Sequence, residues 1–333
     1  MRRVYVLAVL LALVCAPAAQ SQDPKPLDVK KDPDQIGARD VSKGINFYSI
    51  EKEMAIGKGL SQQLERQAKL LNDKLVTEYV NRLGQNLARH SDTKIPLTIK
   101  VIEGDEPNAN TLPGGYIYVN TGLIKMADTE AELAGAMAHE IAHVAARHGT
   151  RQATQGQVAQ LAAIPLIFLG GWGTLCMSAA EASIVPAGSL AIQRGFETEA
   201  DLLGLQYLYK SGYDPLGMVD IFEKTFSFAE RKHARLLARL ASTHPTADDR
   251  LVNVQKNIET ILKARPEYLV NTSEFDNVKA RLAVLDWIPK PEPTAVPERP
   301  TLKRKGDQLV ASKKLVPQTD ARASQIKEAY TIK

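Results

Sequence analysis

His139-Glu140-Ile141-Ala142-His143 sits inside an alanine-rich run that begins at Thr129. Residues four apart on a helix share a face, so both imidazoles can point at one ion. Imidazole nitrogens at about 2.0–2.1 Å suit the tetrahedral shell of zinc. Glu140, one residue on from a ligand, reaches a water on that ion without binding the metal itself. The competing reading is a helix with two incidental histidines. Context favours the metal: Thr129 and Glu132 form a capping box that starts a helix just upstream. Gly149 is placed to end that helix, which leaves the motif in its interior.

Such a site needs a third protein ligand. In the HExxHxxGxxH pattern it is a histidine. Here Ala146 holds the glycine position, Gly149 holds the final histidine position and His148 falls one residue short, so that pattern is excluded. The other common solution is a glutamate from a second helix. Glu197, in Phe196-Glu197-Thr198-Glu199-Ala200-Asp201, fits it. Asp201 lies one turn later on the same face, where it can accept a hydrogen bond from a ligand histidine and fix its tautomer. Glu199 points elsewhere on the helix. The alternative for Glu197 is a solvated helix charge. His148, beside Arg147, reads as a cation placed favourably at a helix C-terminus rather than as a ligand. His90 and His233 read as surface residues.

Outward from the motif the pattern is mainly helical with a few strands. Helical spacing runs from Ile50 to about His90. Pro96 to Val101 alternates like a strand, a turn-rich stretch covers Asn108 to Gly115, and Tyr116 to Val119 is a second short strand. Residues 152–180 carry no charge and include Pro165 and the glycines Gly170, Gly171 and Gly173; residues 157–192 read as buried core, a lid, or a surface touching membrane. Further helices are expected over Phe196 to Lys210, closed by Gly212, then from Pro215 to about Leu240 and from Thr246 to about Ala264. The fold class is α+β, mainly helical.

Composition frames this core. Of 333 residues 44% are hydrophobic, enough for a sizeable interior, and the formal net charge of +4 gives no reason to expect nucleic acid as a partner. Residues 289–333 hold ten Lys and Arg against five Asp and Glu and read as a Pro-rich, basic, flexible tail; the body is mildly acidic. Arg2 and Arg3, the apolar run Val4 to Val14 and the small residues after it predict a signal peptide over 1–21. An uncleaved membrane anchor and lipid attachment at Cys15 are the alternatives. Residues 22–48 are polar and read as a linker. Cys176 is then left alone, so no internal disulfide and no cysteine zinc site is available.

The run from His139 to His148, then Glu197 to Asp201, then Ser242-Thr243-His244-Pro245 resembles the HtpX/BepA/Oma-type zinc metallopeptidases, relatives of the CAAX prenyl endoprotease. The resemblance covers about residues 45–265. It implies a zincin-type (gluzincin) peptidase domain over 49–265, with a small β-sheet beside the active-site helix and residues 266–288 as a C-terminal extension. It implies His139, His143 and Glu197 as ligands of one zinc ion, Glu140 as general base, and Arg250 close to the site. It places His244 near the metal, stabilising the oxyanion or closing the open position. HtpX-like members carry membrane helices, whereas the comparable segment here, 152–180, is broken by Pro165 and glycines; BepA-like members add a C-terminal helical repeat, which the region after 265 does not show.

The expected function is an exported, periplasmic zinc-dependent endopeptidase with a zinc-activated water; the signal segment gives the export, and the resemblance implies misfolded or misassembled envelope proteins as substrates. An extended substrate could pair with the strand at Gly115, Tyr116, Ile117 and Tyr118, which reads equally as an ordinary edge strand. Peripheral membrane contact through the basic tail is a further possibility. The competing functions are a chaperone or assembly factor whose zinc site is closed by His244, and a narrow processing protease.

Overall fold

The computed structural model describes residues 28–157, 187–231 and 248–287. The expected signal peptide, Cys15, Cys176, His233, His244, residues 158–186 of the apolar stretch and the tail over 289–333 lie outside these residues.

Two helices open the fold, α1 (Ile50–Gln67) and α2 (Lys74–Arg89), where the sequence pattern had suggested one helical stretch. The break follows from hydrogen bonding. Ala68 is extended, and residues 69–71 pair with the end of β1 (Thr98–Ile102) through Leu71 N–H to Val101 O at 2.9 Å and Glu103 N–H to Lys69 O at 2.8 Å. Asp73 then starts α2 by accepting from the amide of Val76 at 3.1 Å, a side-chain cap on a free N–H. α2 turns Val76, Tyr79, Val80, Leu83 and Leu87 into the core, the spacing of one helical face.

Three strands form the sheet in the order β1, β3 (Tyr116–Asn120), β2 (Ala109–Leu112). β3 runs parallel to β1, with Ile99 opposite Ile117, and antiparallel to β2, with Thr111 opposite Ile117. The stretch read as turns therefore contains a strand, and its turn residues, Pro113 to Gly115, make the connection to β3. Gly115 has φ +86°, and a Cβ there would lie 2.4 Å from the Pro96 carbonyl oxygen. Only glycine fits both conditions. β3, expected as an exposed edge, is the central strand, with Ile117, Tyr118 and Val119 buried.

After the short helix α3 (Thr121–Met126) comes α4 (Glu130–Ala145), the centre of the molecule. Thr129 caps it, accepting from Glu132 N–H at 3.3 Å, while the Glu132 carboxylate accepts from Asp128 N–H at 3.0 Å. Fourteen of its residues are buried, so it is covered on nearly all sides, by α2, β2, α5 (Ala187–Lys210) and α6 (Leu216–Arg231). α7 (Asp248–Ile261) packs on α5 and α6, and α8 (Ser273–Trp287) lays Phe275, Val278 and Leu282 into the core. Gly212, at φ +92°, closes α5 as expected.

Gly149 does not end α4. The helix stops at Ala145, Arg147 adopts a left-handed φ of +55°, and the chain is helical again over residues 148–157. The Arg147 guanidinium donates to Glu53 at 2.6 Å and to the Tyr48 carbonyl at 2.7 Å, interactions that hold this uncommon conformation in place.

The described part of the expected linker, residues 28–48, is packed against the body. Val41 is buried, and Arg39 is enclosed with its guanidinium on Asp92 at 2.9 Å, Gln206 at 2.8 Å and three backbone carbonyls. Polar composition hid this because the Arg39 charge is met by Asp92 inside the protein rather than by water. Among the described residues, no helix is long and apolar enough to cross a membrane.

Candidate metal centre

The interior of α4 presents His139 and His143 on one face, and α5 crosses it. Glu197, Asp201 and Gly204 form a stripe at i, i+4 and i+7 along α5, facing α4. The contact is backbone-close at Gly204, where an added Cβ would come within 2.9 Å of the His139 Cα. This approach brings the Glu197 carboxylate to the histidines, 3.4 Å from His139 Nε2 and 3.5 Å from His143 Nε2. The two Nε2 atoms are 3.0 Å apart. Donor atoms of His139, His143 and Glu197 all lie within 4.8 Å of one another.

Asp201 fixes the first ring. Its Oδ1 accepts from His139 Nδ1 at 2.9 Å, which leaves the Nε2 lone pair of a neutral ring aimed at the cluster. Arg250, from α7, grips both Asp201 oxygens at 2.8 and 2.7 Å and reaches Glu197 at 3.2 Å. Its guanidinium lies 4.6 Å from the centre of the Phe222 ring. Burial opposes ionisation of Asp201, but the Arg250 charge and the hydrogen bonds from Arg250 and His139 hold its carboxyl below the usual range.

These residues fit a zinc ion. Burial works against a charged His139, yet the hydrogen bonds to Asp201 and Glu197 raise its pKa to about 9. The carboxylates thus draw positive charge to this point, and a dication answers the same demand. Two imidazoles and one carboxylate are a known catalytic zinc set, with the fourth position left for water or substrate.

Glu140 is buried and is not one of the three clustered donors. The Thr111 hydroxyl of β2 donates to its Oε2 at 2.6 Å. A cleft of about 220 Å³ opens here, lined by Asn110, Thr111 and Leu112 of β2 together with Glu140, His143 and Glu197. β2 is an edge strand of the sheet, so the strand beside the cleft is β2. Gly115, Tyr116, Ile117 and Tyr118 do not line it; β3 has ladders on both sides, and the Tyr118 hydroxyl donates to Glu65 at 2.7 Å.

The structure brings together His139, Glu140, His143, Glu197, Asp201 and Arg250 as the sequence predicts. His244 lies outside the described residues. Glu199 is no part of the donor cluster: it binds His148, Arg151 and Lys30. His148, read as a structural cation at a helix end rather than a ligand, is buried, with its Nδ1 2.9 Å from His143 Nδ1. Thr111 and His148 went unrecognised, the first because its strand is disguised as turn sequence, the second because i+5 pairs do not share a helix face.

Residues 74–258 match Peptidase family M48. The chain belongs to that family. It is 32% identical over 245 residues to the beta-barrel assembly-enhancing protease of Escherichia coli strain K12, covering 70% of this chain and 48% of that protein. To the protein of the same name from Yersinia pestis it is 30% identical over 262 residues, covering 75% and 52%. To the mitochondrial metalloendopeptidase OMA1 of Schizosaccharomyces pombe it is 31% identical over 183 residues, covering 54% and 52%. The chain spans about half the length of these curated relatives. The resemblance read from the three motifs is borne out, and with it the mainly helical α+β fold.

Proposed function

We propose that this M48 chain is a zinc-dependent endopeptidase. The observation that carries the reading is the convergence of His139, His143 and Glu197 on one point, with Glu140 beside it at the wall of a cleft. Zinc bound there supplies a Lewis acid that polarises the scissile carbonyl and acidifies water. The protein does the rest. His139, His143 and Glu197 hold the ion, and Asp201, steadied by Arg250, keeps the His139 lone pair aimed at it. Glu140 takes the proton of the attacking water and passes it to the leaving amine. The Thr111 hydroxyl, bonded to the Glu140 carboxylate, orients that base. The outer edge of β2 offers backbone groups to an extended peptide, a mode that favours breadth over strict sequence choice.

The substrates proposed are misfolded or misassembled polypeptides of the cell envelope. Support comes from the relatives named for beta-barrel assembly and from the apolar N-terminal segment that follows Arg2 and Arg3. Export to the periplasm goes with this reading.

The test is Glu140→Gln, compared with wild type for zinc content and for cleavage of an unfolded protein. The expected result is full zinc and cleavage lowered by about a thousandfold or more. Full zinc with undiminished cleavage overturns the catalytic assignment. Fractionation of cells expressing the full chain tests export, with a cytoplasmic location as the contrary result.

A further inference from the structure

We infer that His148 is a positioning residue: held by Glu199, it fixes the tautomer of His143 and so aims that ligand at the metal. The inference rests on the zinc reading above. Its basis is the direction of a chain of hydrogen bonds. Glu199 lies between two cations, Lys30 at 2.5 Å and Arg151 at 2.9 Å, which keep it an acceptor. Its Oε2 is 3.1 Å from His148 Nε2, so that nitrogen carries the proton. A neutral His148 then has only a lone pair at Nδ1. That lone pair faces His143 Nδ1 at 2.9 Å, and one of the two nitrogens must donate. The donor is His143. Its Nδ1 carries the hydrogen, and its Nε2, 3.0 Å from His139 Nε2 and 3.5 Å from Glu197, is left as a lone pair in the donor cluster.

The two ligand imidazoles are thereby oriented by different chemistry. Asp201 does it directly for His139, and Glu199 does it through an intervening ring for His143. The geometry depends on the left-handed Arg147, which breaks α4 and turns the chain so that His148 comes back under His143. Phe196 stacks on the His148 ring at 4.6 Å, and Arg151 lies 4.9 Å from the centre of the Phe196 ring, so the intermediary ring is clamped on its face as well as its edges. Lys30 brings the N-terminal segment into the same relay.

The experiment measures zinc affinity of the full chain by competition with a chromogenic chelator, for wild type, His148→Leu and His148→Asn. Leu removes the acceptor and keeps bulk; the Asn side-chain oxygen can stand where Nδ1 stood. Partners of metal-bound histidines are worth about 10–100-fold in affinity, so Leu is expected to weaken zinc binding by about that factor. Asn is expected to recover most of it, with zinc-free melting temperatures of both variants within a few degrees of wild type. Histidine ¹⁵N spectra of zinc-free wild type supply a reading that needs no folded variant: His143 protonated at Nδ1 and His148 at Nε2. Leu binding zinc as tightly as wild type overturns the inference, as does a His143 ring protonated only at Nε2. If wild type itself takes up no zinc, the metal reading fails as well; a failure confined to His148 leaves wild-type zinc intact.

Discussion

Gly204 of α5 lies directly over His139 of α4, so close that a Cβ on the glycine would be 2.9 Å from both the Cα and the amide nitrogen of the histidine. The contact is backbone to backbone and cannot yield by a rotamer change. Glu197 and Asp201 sit on the same stripe, so the separation of the two helices sets the distance from those carboxylates to the imidazoles. Gly204→Val therefore does more than overpack the core, which by itself costs about 1–3 kcal/mol. It lifts α5 and moves a ligand and an orienting group together. The expected outcome is a lower melting temperature with zinc affinity reduced by about tenfold or more, measured by calorimetry and chelator competition.

Thr111 tests whether the base is oriented from the sheet. Thr111→Val keeps the shape and removes the donor to Glu140. A hydrogen bond to a charged group is worth about 1.5–3 kcal/mol. The expected result is kcat lowered by about tenfold or more with zinc content unchanged. Loss of zinc instead would mean that the hydroxyl serves the metal site as a whole.

Arg250 is enclosed with two carboxylates, and its removal takes a full positive charge from beside both. Arg250→Ala is expected to cost about 3–5 kcal/mol in urea unfolding, because Asp201 and Glu197 remain buried without their cation. Arg250→Lys is expected to recover only part of this, since one ammonium cannot reproduce a fork that binds both Asp201 oxygens. Bound zinc compensates Glu197 more than Asp201, so the loss should be smaller in the zinc-loaded protein but not absent.

The centre was largely legible in the sequence because its residues obey helical arithmetic. His139 and His143 are one turn apart, as are Glu197 and Asp201, and the cap at Thr129 announces where the first helix begins. What stayed hidden depends on departures from regular spacing. β2 is a four-residue strand ending at Pro113-Gly114-Gly115, and its composition is that of a turn; only pairing with β3 makes it a strand. With β2 unseen, β3 looked like an edge. His148 depends on a left-handed arginine, a conformation that no local propensity favours. The buried Arg39 depends on partners 53 and 167 residues away, Asp92 and Gln206, at separations that periodicity does not reach.

Zinc should contribute directly to stability. A ligand that binds only the folded state adds about 4 kcal/mol when its free concentration is about 1,000 times Kd. Chelation of the full chain is therefore expected to lower the melting temperature by roughly 8 °C or more for a domain of this size. Added zinc should restore it, and His139→Ala should melt at one temperature whether or not zinc is present.

Arg39 carries the last prediction. Its guanidinium joins the N-terminal segment to α5 through Gln206 and to Asp92, whose carboxylate also accepts from the Tyr207 hydroxyl at 2.9 Å and from the Gly37 amide at 2.7 Å. Arg39→Ala leaves Asp92 buried without its cation and takes one donor from each of three carbonyls in the Val29 to Asp32 turn. The segment should then open locally while the rest of the domain holds, because its own apolar contribution rests chiefly on Val41. Trypsin is expected to cut at Lys30, Lys31 or Lys43 much faster in the variant than in wild type. Opening also withdraws Lys30 from Glu199, so zinc affinity should fall slightly, by less than in His148→Leu. Equal cutting rates in the two proteins would mean that other contacts hold the segment down.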